Sequence, residues 1–186
     1  ILGALRAAGL DPAQRLSPED LGALDQFHTG GLRASIDLIE LARIGADDRV
    51  LDIGSGLGGA GRLLASSLGC RVDCLEPSAD FRTGAALLNR LTHLEDRIEV
   101  HDGSALDLPF SDDAFTVVWM QNVGMNIADK RTLYAEIHRV LEPGPIEVAA
   151  EPEVVGDRAV EHEDVLRHHR DPPPQLLGGQ IPDVVA

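Results

Sequence analysis

The residues best suited to chemistry in this sequence are a carboxylate and a set of glycines within residues 49–61. Asp52 stands just before a run in which four of six positions are glycine, at Gly54, Gly56, Gly58 and Gly59. Apolar residues before this run predict a short buried strand, and residues 62–65 open a helix. A strand that turns through so few side chains lets backbone N–H groups and a helix N-terminus face a bound nucleotide-like molecule.

Three acidic positions narrow the choice of ligand, which the glycines leave open between a dinucleotide and S-adenosylmethionine (SAM). Asp52 suits a ligand that carries an amino-acid ammonium group, and it would repel a pyrophosphate. Glu76 ends the second predicted strand, where a carboxylate accepts ribose hydroxyls in both classes of site. Asp102, followed by Gly103 and Ser104, ends the third strand and could accept from an adenine amino group. Plainer alternatives remain, since Asp52 could cap its own loop and Asp102 could only form a turn.

Alternating strands and helices would position these residues. The pattern predicts strands at 50–53, 71–75, 97–101 and 114–120, and helices at 58–68, 79–91 and 129–141. It therefore predicts an α/β fold, a doubly wound and mostly parallel sheet with helices on both faces. Right-handed crossovers would bring every strand's carboxyl end to one edge of the sheet. Residues 146–150 are a weaker candidate for a fifth strand.

The pattern divides the chain into three parts. Residues 1–48 are predicted as N-terminal helices that form a lid or cap, and residues 49–150 as the α/β core. Residues 151–186 are predicted as a poorly ordered tail, because they are rich in acidic residues, proline and glycine and lack an amphipathic period. The first residue is Ile1 rather than Met, so we expect the native N-terminus to lie upstream.

Composition excludes several classes of function. The chain has 186 residues and a formal net charge of -15, which argues against a nucleic-acid partner. We expect no membrane span, because no run of about 18 apolar residues occurs. No signal peptide is visible, and we expect a cytoplasmic protein. Cys70 and Cys74 are predicted to be buried free thiols, since the Cα atoms of residues four apart on a strand lie about 13 Å from each other.

Together these motifs resemble the class I SAM-dependent methyltransferases, in particular the small-molecule enzymes of the methyltransferase type 11 group. The segments that carry the resemblance are residues 50–59, Glu76, residues 102–110, residues 114–120 and residues 137–144. It implies a Rossmann-like core, SAM as cofactor, no metal, and in-line transfer of a methyl group to a small-molecule acceptor. Because such enzymes continue after the Pro-Gly turn with further strands, we expect this chain to lack the usual last two strands and to have a truncated or frame-altered C-terminus.

The resemblance also assigns roles to individual residues. Those implied to bind SAM are Thr29, Gly30, Asp52, Gly54, Ser55, Gly56, Glu76, Pro77, Asp102, Gly103, Ser104 and Gln121. Those implied to face the acceptor are Gln121, Asn122 and His28. Asn122 cannot act as a base, which leaves His28 as the candidate proton acceptor. Three other readings stay open: a non-catalytic SAM-binding remnant, an NAD-dependent oxidoreductase, and a pure interaction module. The sequence does not indicate an oligomeric state.

Overall fold

The computed structural model describes residues 1–25 and 31–143, together with four strands within residues 146–168. The helices are α1 (Leu2–Ala7), α2 (Pro18–Asp25), α3 (Gly31–Ala42), α4 (Gly59–Leu68), α5 (Ala79–Leu91) and α6 (Lys130–Val140). The strands are β1 (Arg49–Ile53), β2 (Arg71–Leu75), β3 (Ile98–His101), β4 (Val117–Gln121), β5 (Ile146–Ala149), β6 (Pro152–Val155), β7 (Arg158–Glu161) and β8 (Glu163–His168). In the parts of the chain so described, no helix is long and apolar enough to cross a membrane.

Local capping chemistry sets the helix boundaries. At the start of α2, the Asp20 carboxylate accepts from the Ser17 N–H at 2.8 Å, and the Ser17 hydroxyl accepts from the Asp20 N–H at 3.3 Å. This reciprocal pair is a capping box. Ser78 caps α5, where its hydroxyl accepts from the Phe81 N–H at 3.4 Å. Helix α4 ends at Gly69, whose φ of 76° is the left-handed conformation that glycine favours.

The main sheet has the strand order β3-β2-β1-β4-β8-β5. The first four strands in this order are parallel, with β1 in the centre between β2 and β4. In the register of this sheet, Asp52 is level with Cys74 of β2 and Trp119 of β4. The parallel strands and their crossover helices confirm the predicted fold class. Their carboxyl ends therefore lie at one edge of the sheet.

The sheet continues beyond β4 in a way that the sequence pattern does not predict. Strand β8 lies antiparallel beside β4, and β5 lies antiparallel to β8, while β6 and β7 form a separate two-stranded sheet. The sequence predicts no strand after residue 150, whereas the structure has three within residues 152–168. In these strands the apolar residues occur as adjacent pairs, Val154-Val155 and Val165-Leu166, so no period of two is visible. Residues 169–186 lie outside the described residues.

Both faces of the parallel sheet are covered by helices. On one face Val50 and Trp119 pack with Leu38 of α3 and Leu64 of α4. On the opposite face Leu51 and Val118 pack with residues of α6 that include Leu133 and Ile137. Successive strand side chains point to opposite faces, so Asp52 lies on the same face as Val50, beneath α4. A third buried cluster joins the N-terminal segment to the glycine loop and to α5. It is made of Leu5, Leu16, Leu21, Leu57 and Leu88.

Helix α4 approaches the sheet closely at Gly61. A Cβ atom at this position would lie 2.9 Å from the Cys74 Sγ atom and 3.4 Å from the Val72 Cγ1 atom. Both cysteines are free and buried, as predicted, and burial raises the pKa of the Cys70 thiol to about 12. Cys74 thus serves as a small packing group on which the helix rests.

We predict that Gly61→Ala lowers the free energy of unfolding by about 1–2 kcal/mol, because overlap with Cys74 outweighs the gain in helix propensity. Gly22→Ala in α2 is the matched control, since no heavy atom lies within 4 Å of its added Cβ. That variant should be as stable as the parent or more stable. Urea unfolding followed by circular dichroism measures both. Equal effects of the two substitutions would contradict a close approach at Gly61.

Candidate functional site

The glycine loop after β1 is tied to the end of β2 through its backbone. The N–H groups of Gly54 and Ser55 donate to the Leu75 carbonyl at 2.8 and 3.2 Å. The next amide, that of Gly56, donates to the Glu76 Oε2 atom at 3.0 Å. Three consecutive amides of the loop are therefore satisfied within the protein. Their hydrogen bonds hold the loop against the neighbouring strand.

Glu76 is the buried carboxylate that receives one of these bonds. It is 6% exposed, and its second oxygen, Oε1, accepts from the Ser78 N–H at 2.9 Å. Its own backbone N–H donates to the His101 carbonyl at 3.1 Å, which joins the end of β2 to the end of β3. Each carboxylate oxygen still has acceptor capacity. Beside it, Gly56 has a φ of 56° and open space where a Cβ would lie.

Asp52 is the second buried carboxylate at this edge. It is 3% exposed, and its Oδ2 atom is buried with no hydrogen-bond partner among the residues that the structure describes. Burial raises the pKa of Asp52 to about 7, and the negative charge of Glu76 also raises it. The positive charge of Arg62 and the Gly61 N–H act in the opposite direction. A buried acceptor without a partner is rare in proteins and marks a candidate site for a ligand donor or cation.

The end of β3 lies more open to solvent. The Asp102 side chain is 71% exposed and forms an ion pair with Arg82 of α5, with Nη1 and Oδ1 2.8 Å apart. The same Nη1 atom donates to the carbonyls of Glu76 and Pro77 at 2.9 and 2.7 Å. Arg82 thereby joins the ends of β2 and β3. Its role was not predicted, because Asp102 comes near it only when β2 and β3 pair.

The two residues after Asp102 shape the backbone there. A Cβ atom at Gly103 would lie 2.8 Å from the Leu75 Cδ1 atom, so the chain passes too close to β2 for a larger residue. Ser104 is exposed, and its Oγ atom accepts from the Leu106 N–H at 3.1 Å. The acidic group of Asp102 and this turn therefore border the same edge of the sheet as Glu76.

At the end of β4, Gln121 and Asn122 lie next to the glycine loop. The Ser35 hydroxyl of α3 donates to the Gln121 Oε1 atom at 3.1 Å, while the Gln121 Nε2 atom is buried with no partner in the described chain. Asn122 has a φ of 57°, the left-handed conformation. A Cβ atom at Gly54 would overlap with the Cγ2 atom of Val123, the residue after Asn122. The β4 end thus contacts the loop that carries Asp52.

The structure brings together most of the predicted site residues, on the ends of four adjacent parallel strands. They are Asp52 with the loop 54–56, Glu76 with Pro77, residues 102–104, and Gln121 with Asn122. His28, Thr29 and Gly30 lie outside the described residues, so their roles stay predictions. This edge combines two buried carboxylates, one exposed carboxylate and an unused amide donor.

Residues 51–147, more than half of the chain, match the methyltransferase domain family. The chain belongs to this family. Two N-methyltransferases illustrate the likeness in sequence. The glycine/sarcosine/dimethylglycine N-methyltransferase of Actinopolyspora halophila is 43% identical over 100 residues, which are 54% of this chain and 18% of that protein. The sarcosine/dimethylglycine N-methyltransferase of Aphanothece halophytica is 36% identical over 99 residues, or 53% of this chain and 36% of that protein.

A solved structure extends the likeness to three dimensions. The geranyl diphosphate C-methyltransferase of Streptomyces coelicolor A3(2) superposes with a TM-score of 0.57 at 28% identity. The superposition covers 62% of this chain and 43% of that one. The chain therefore spans less than half of the length of each of these three relatives. What it shares with them is the methyltransferase domain itself.

Within this methyltransferase domain, sequence reasoning missed a buried arginine. Arg62 is fully buried in α4 and pairs with Asp25 at the end of α2, with Nη2 and Oδ2 2.6 Å apart. An arginine within the apolar run 62–65 was a signal that a buried acid must lie nearby, since an unpaired buried charge is costly. No acid stands three or four residues away on the helix, so the sequence could not identify the partner.

The raised pKa of Asp52 makes a prediction about the stability of the ligand-free domain. Its folded-state pKa of about 7 lies above its ordinary value of 3.8, so the folded state binds this proton more tightly. Its contribution is therefore favourable in acid and is lost as the pH rises from about 4 to about 7. Above that range the ionised, buried carboxylate costs on the order of 4 kcal/mol.

Asp52→Asn removes this ionisation while keeping the shape of the side chain. The variant should gain stability relative to the parent as the pH rises from 4 to 8, and urea unfolding at several pH values measures the difference. Asp47→Asn, at an exposed turn position, is the control and gives the background pH dependence of such a substitution. A pH-independent difference between Asp52→Asn and the parent would show that Asp52 titrates normally.

Proposed function

We propose that this chain provides the donor-binding half of a SAM-dependent methyltransferase that acts on a small-molecule acceptor. The observation that carries the proposal is the buried Asp52 carboxylate, whose Oδ2 atom has no hydrogen-bond partner among the described residues, beside the buried carboxylate of Glu76. Two such groups, on the ends of adjacent strands, suit a ligand with a cationic amino-acid end and a ribose. SAM is such a ligand.

The hydrogen bonds of the loop favour SAM over a dinucleotide. A dinucleotide site needs loop amides that are free to receive a pyrophosphate. Here the amides of Gly54, Ser55 and Gly56 already donate to Leu75 and Glu76. The Asp52 carboxylate, just before the loop, would also repel the diphosphate charge. The NAD-dependent alternative therefore lacks both the donors and the electrostatics that it requires.

Each end of the ligand has a proposed partner. Asp52 would accept from the ammonium group, with the loop 54–56 along the methionine part. Glu76 would accept from the ribose hydroxyls, and Pro77 would lie beside it. Asp102, with Gly103 and Ser104, would border the adenine, and Arg82 fixes the Asp102 carboxylate in place. Thr29 and Gly30 are proposed to contact the amino-acid end.

Bound SAM supplies a methyl group activated by its attachment to a sulfonium. The chain's own residues have to align donor and acceptor, since in-line displacement depends chiefly on orientation. Gln121 is proposed to lie between SAM and the acceptor. Its side-chain carbonyl accepts from the Ser35 hydroxyl, which leaves its amide hydrogens available to a ligand. Asn122 is proposed to hold the acceptor without exchanging a proton. His28 is the proposed base where the acceptor must lose one.

The printed names of the relatives support a small acceptor. Sarcosine and dimethylglycine occur in the names of two sequence relatives, and the Streptomyces enzyme was solved with geranyl diphosphate and S-adenosyl-L-homocysteine. For this chain we propose a small amine as the first acceptor class to examine. The net charge of -15 disfavours nucleic acid. We further propose a cytoplasmic location, which two free thiols favour, and a capping role for the N-terminal helices.

Calorimetric titration with S-adenosylhomocysteine and with NADH tests the proposal. The chain should bind S-adenosylhomocysteine and not NADH. Glu76→Gln should weaken that binding about 10- to 150-fold, because one hydrogen bond that a carboxylate accepts from a ribose hydroxyl contributes roughly 1.5–3 kcal/mol. Glu95→Gln, on an exposed turn, is the matched control and should leave the affinity unchanged.

Turnover with methyl-labelled SAM and sarcosine, dimethylglycine or geranyl diphosphate then tests the acceptor class. Label in the amines supports the proposal in full. Binding of S-adenosylhomocysteine without any turnover would reduce this chain to a SAM-binding module. Binding of NADH in its place would overturn the assignment of the donor site.

A further inference from the structure

A single guanidinium, that of Arg62, connects three separate elements beneath the glycine loop. Its Nη1 atom donates to the Asn89 Oδ1 atom of α5 at 2.8 Å. Its Nη2 atom donates both to the Asp25 Oδ2 atom of α2 and to the Leu57 carbonyl, each at 2.6 Å. All of these bonds are buried, so each one is strong and costly to lose.

The bond to Leu57 gives the glycine loop a second fixed point. Its first amides are held from the side of β2, by Leu75 and Glu76. Its far end, at Leu57, is held by Arg62 alone among the hydrogen bonds of the described side chains. A Cβ atom at Gly58 would lie 3.1 Å from the Arg62 Nη1 atom, and Gly58 has a φ of 80°. The guanidinium therefore lies directly against the backbone whose shape defines the donor site.

The charge of Arg62 also acts on the site. It opposes the effect of burial on the pKa of Asp52, and it is the only cation among the causes of that shift. Asp25 balances the guanidinium on its other side, where the side chains of the pair are 0% and 2% exposed. Asp25 is the last residue of α2. Helix α2 thus supplies a buried charge to the same network.

We propose that Arg62 is a positioning residue for the donor site, and that α2 is coupled to ligand affinity through the Asp25–Arg62 ion pair. Arg62 touches neither ligand in this account. It fixes the far end of the loop and keeps a positive charge near Asp52. Leu21 of α2 and Leu57 of the loop also belong to one buried apolar cluster, which supports the same coupling. This inference rests on the proposed function, because the ligand in question is SAM.

The test separates positioning from folding by removing both buried charges together. A single Arg62→Met change leaves Asp25 buried without its partner and should destabilise the protein strongly. The double variant Arg62→Met/Asp25→Leu has no uncompensated charge, and it should regain most of the unfolding temperature lost by the single variant. Its loop still lacks the donor to Leu57. In the double variant the unfolding temperature should therefore recover, whereas the affinity for S-adenosylhomocysteine should stay low.

Two probes locate the defect, S-adenosylhomocysteine and 5′-methylthioadenosine, which lacks the amino-acid end. In the double variant the dissociation constant of S-adenosylhomocysteine should rise at least tenfold, and that of 5′-methylthioadenosine less than threefold. The control is Arg49→Met/Glu142→Leu, which removes an ion pair at the start of β1, away from the loop. Its affinities for both probes should equal those of the parent. Should the double variant fail to fold, Arg62→Lys is the second variant. It keeps the charge beside Asp25 but loses the planar guanidinium that donates to both Asp25 and Leu57, and it should weaken S-adenosylhomocysteine binding three- to tenfold.

The outcomes distinguish this inference from the proposed function. Parental affinity for S-adenosylhomocysteine in the folded double variant, or in Arg62→Lys, would overturn the positioning role and leave the proposed function standing. Equal losses for the two probes would also overturn it, since they would indicate general disruption of the fold. If the unaltered chain binds neither probe, the proposed function fails and this inference fails with it.

Discussion

A buried carboxylate, one of whose oxygens has no hydrogen-bond partner among the described residues, is the constraint on which the rest of this structure depends. Asp52 stands near the carboxyl end of the central strand, β1, with a strand paired on each side and α4 above it. An ionised group in such a place is unfavourable unless something compensates for its charge. Arg62 supplies part of that compensation from below the glycine loop. In the proposed function, the ammonium group of the ligand supplies the remainder.

The neighbouring features follow from the need to keep this site in shape. Gly61 lets α4 rest on β2, and the Gly54 and Gly56 amides hold the loop to the end of that strand. The buried charge of Arg62 is balanced by Asp25. Helix α2 is therefore joined to the loop by a buried ion pair as well as by leucine packing. The site is therefore stabilised from both sides of the loop. The shared methyltransferase domain holds all of these parts, although the chain spans less than half of the length of the relatives described.

Sequence reasoning located the parallel core because each of its elements is specified locally. Apolar runs and the glycine loop gave the elements, and the topology of parallel strands placed Asp52, Glu76 and Asp102 at one edge. Contacts between distant segments could not be read in the same way. The Asp25–Arg62 pair joins residues 37 apart, and Arg82 meets Asp102 only after β2 and β3 have paired. Strands β6 to β8 were missed because their apolar residues stand next to each other and show no alternation.

The most direct test of this account is the pKa of the Asp52 carboxyl group, measured by carbon-13 NMR with Asp52→Asn to assign the signal. In the ligand-free chain the pKa should lie near 7, as burial requires. Saturation with S-adenosylhomocysteine should lower it, because the ligand's ammonium group would favour the ionised form. A pKa near 4 in the free chain, or one that saturation with the ligand leaves unchanged, would contradict the claim that Asp52 is held buried to receive a cation.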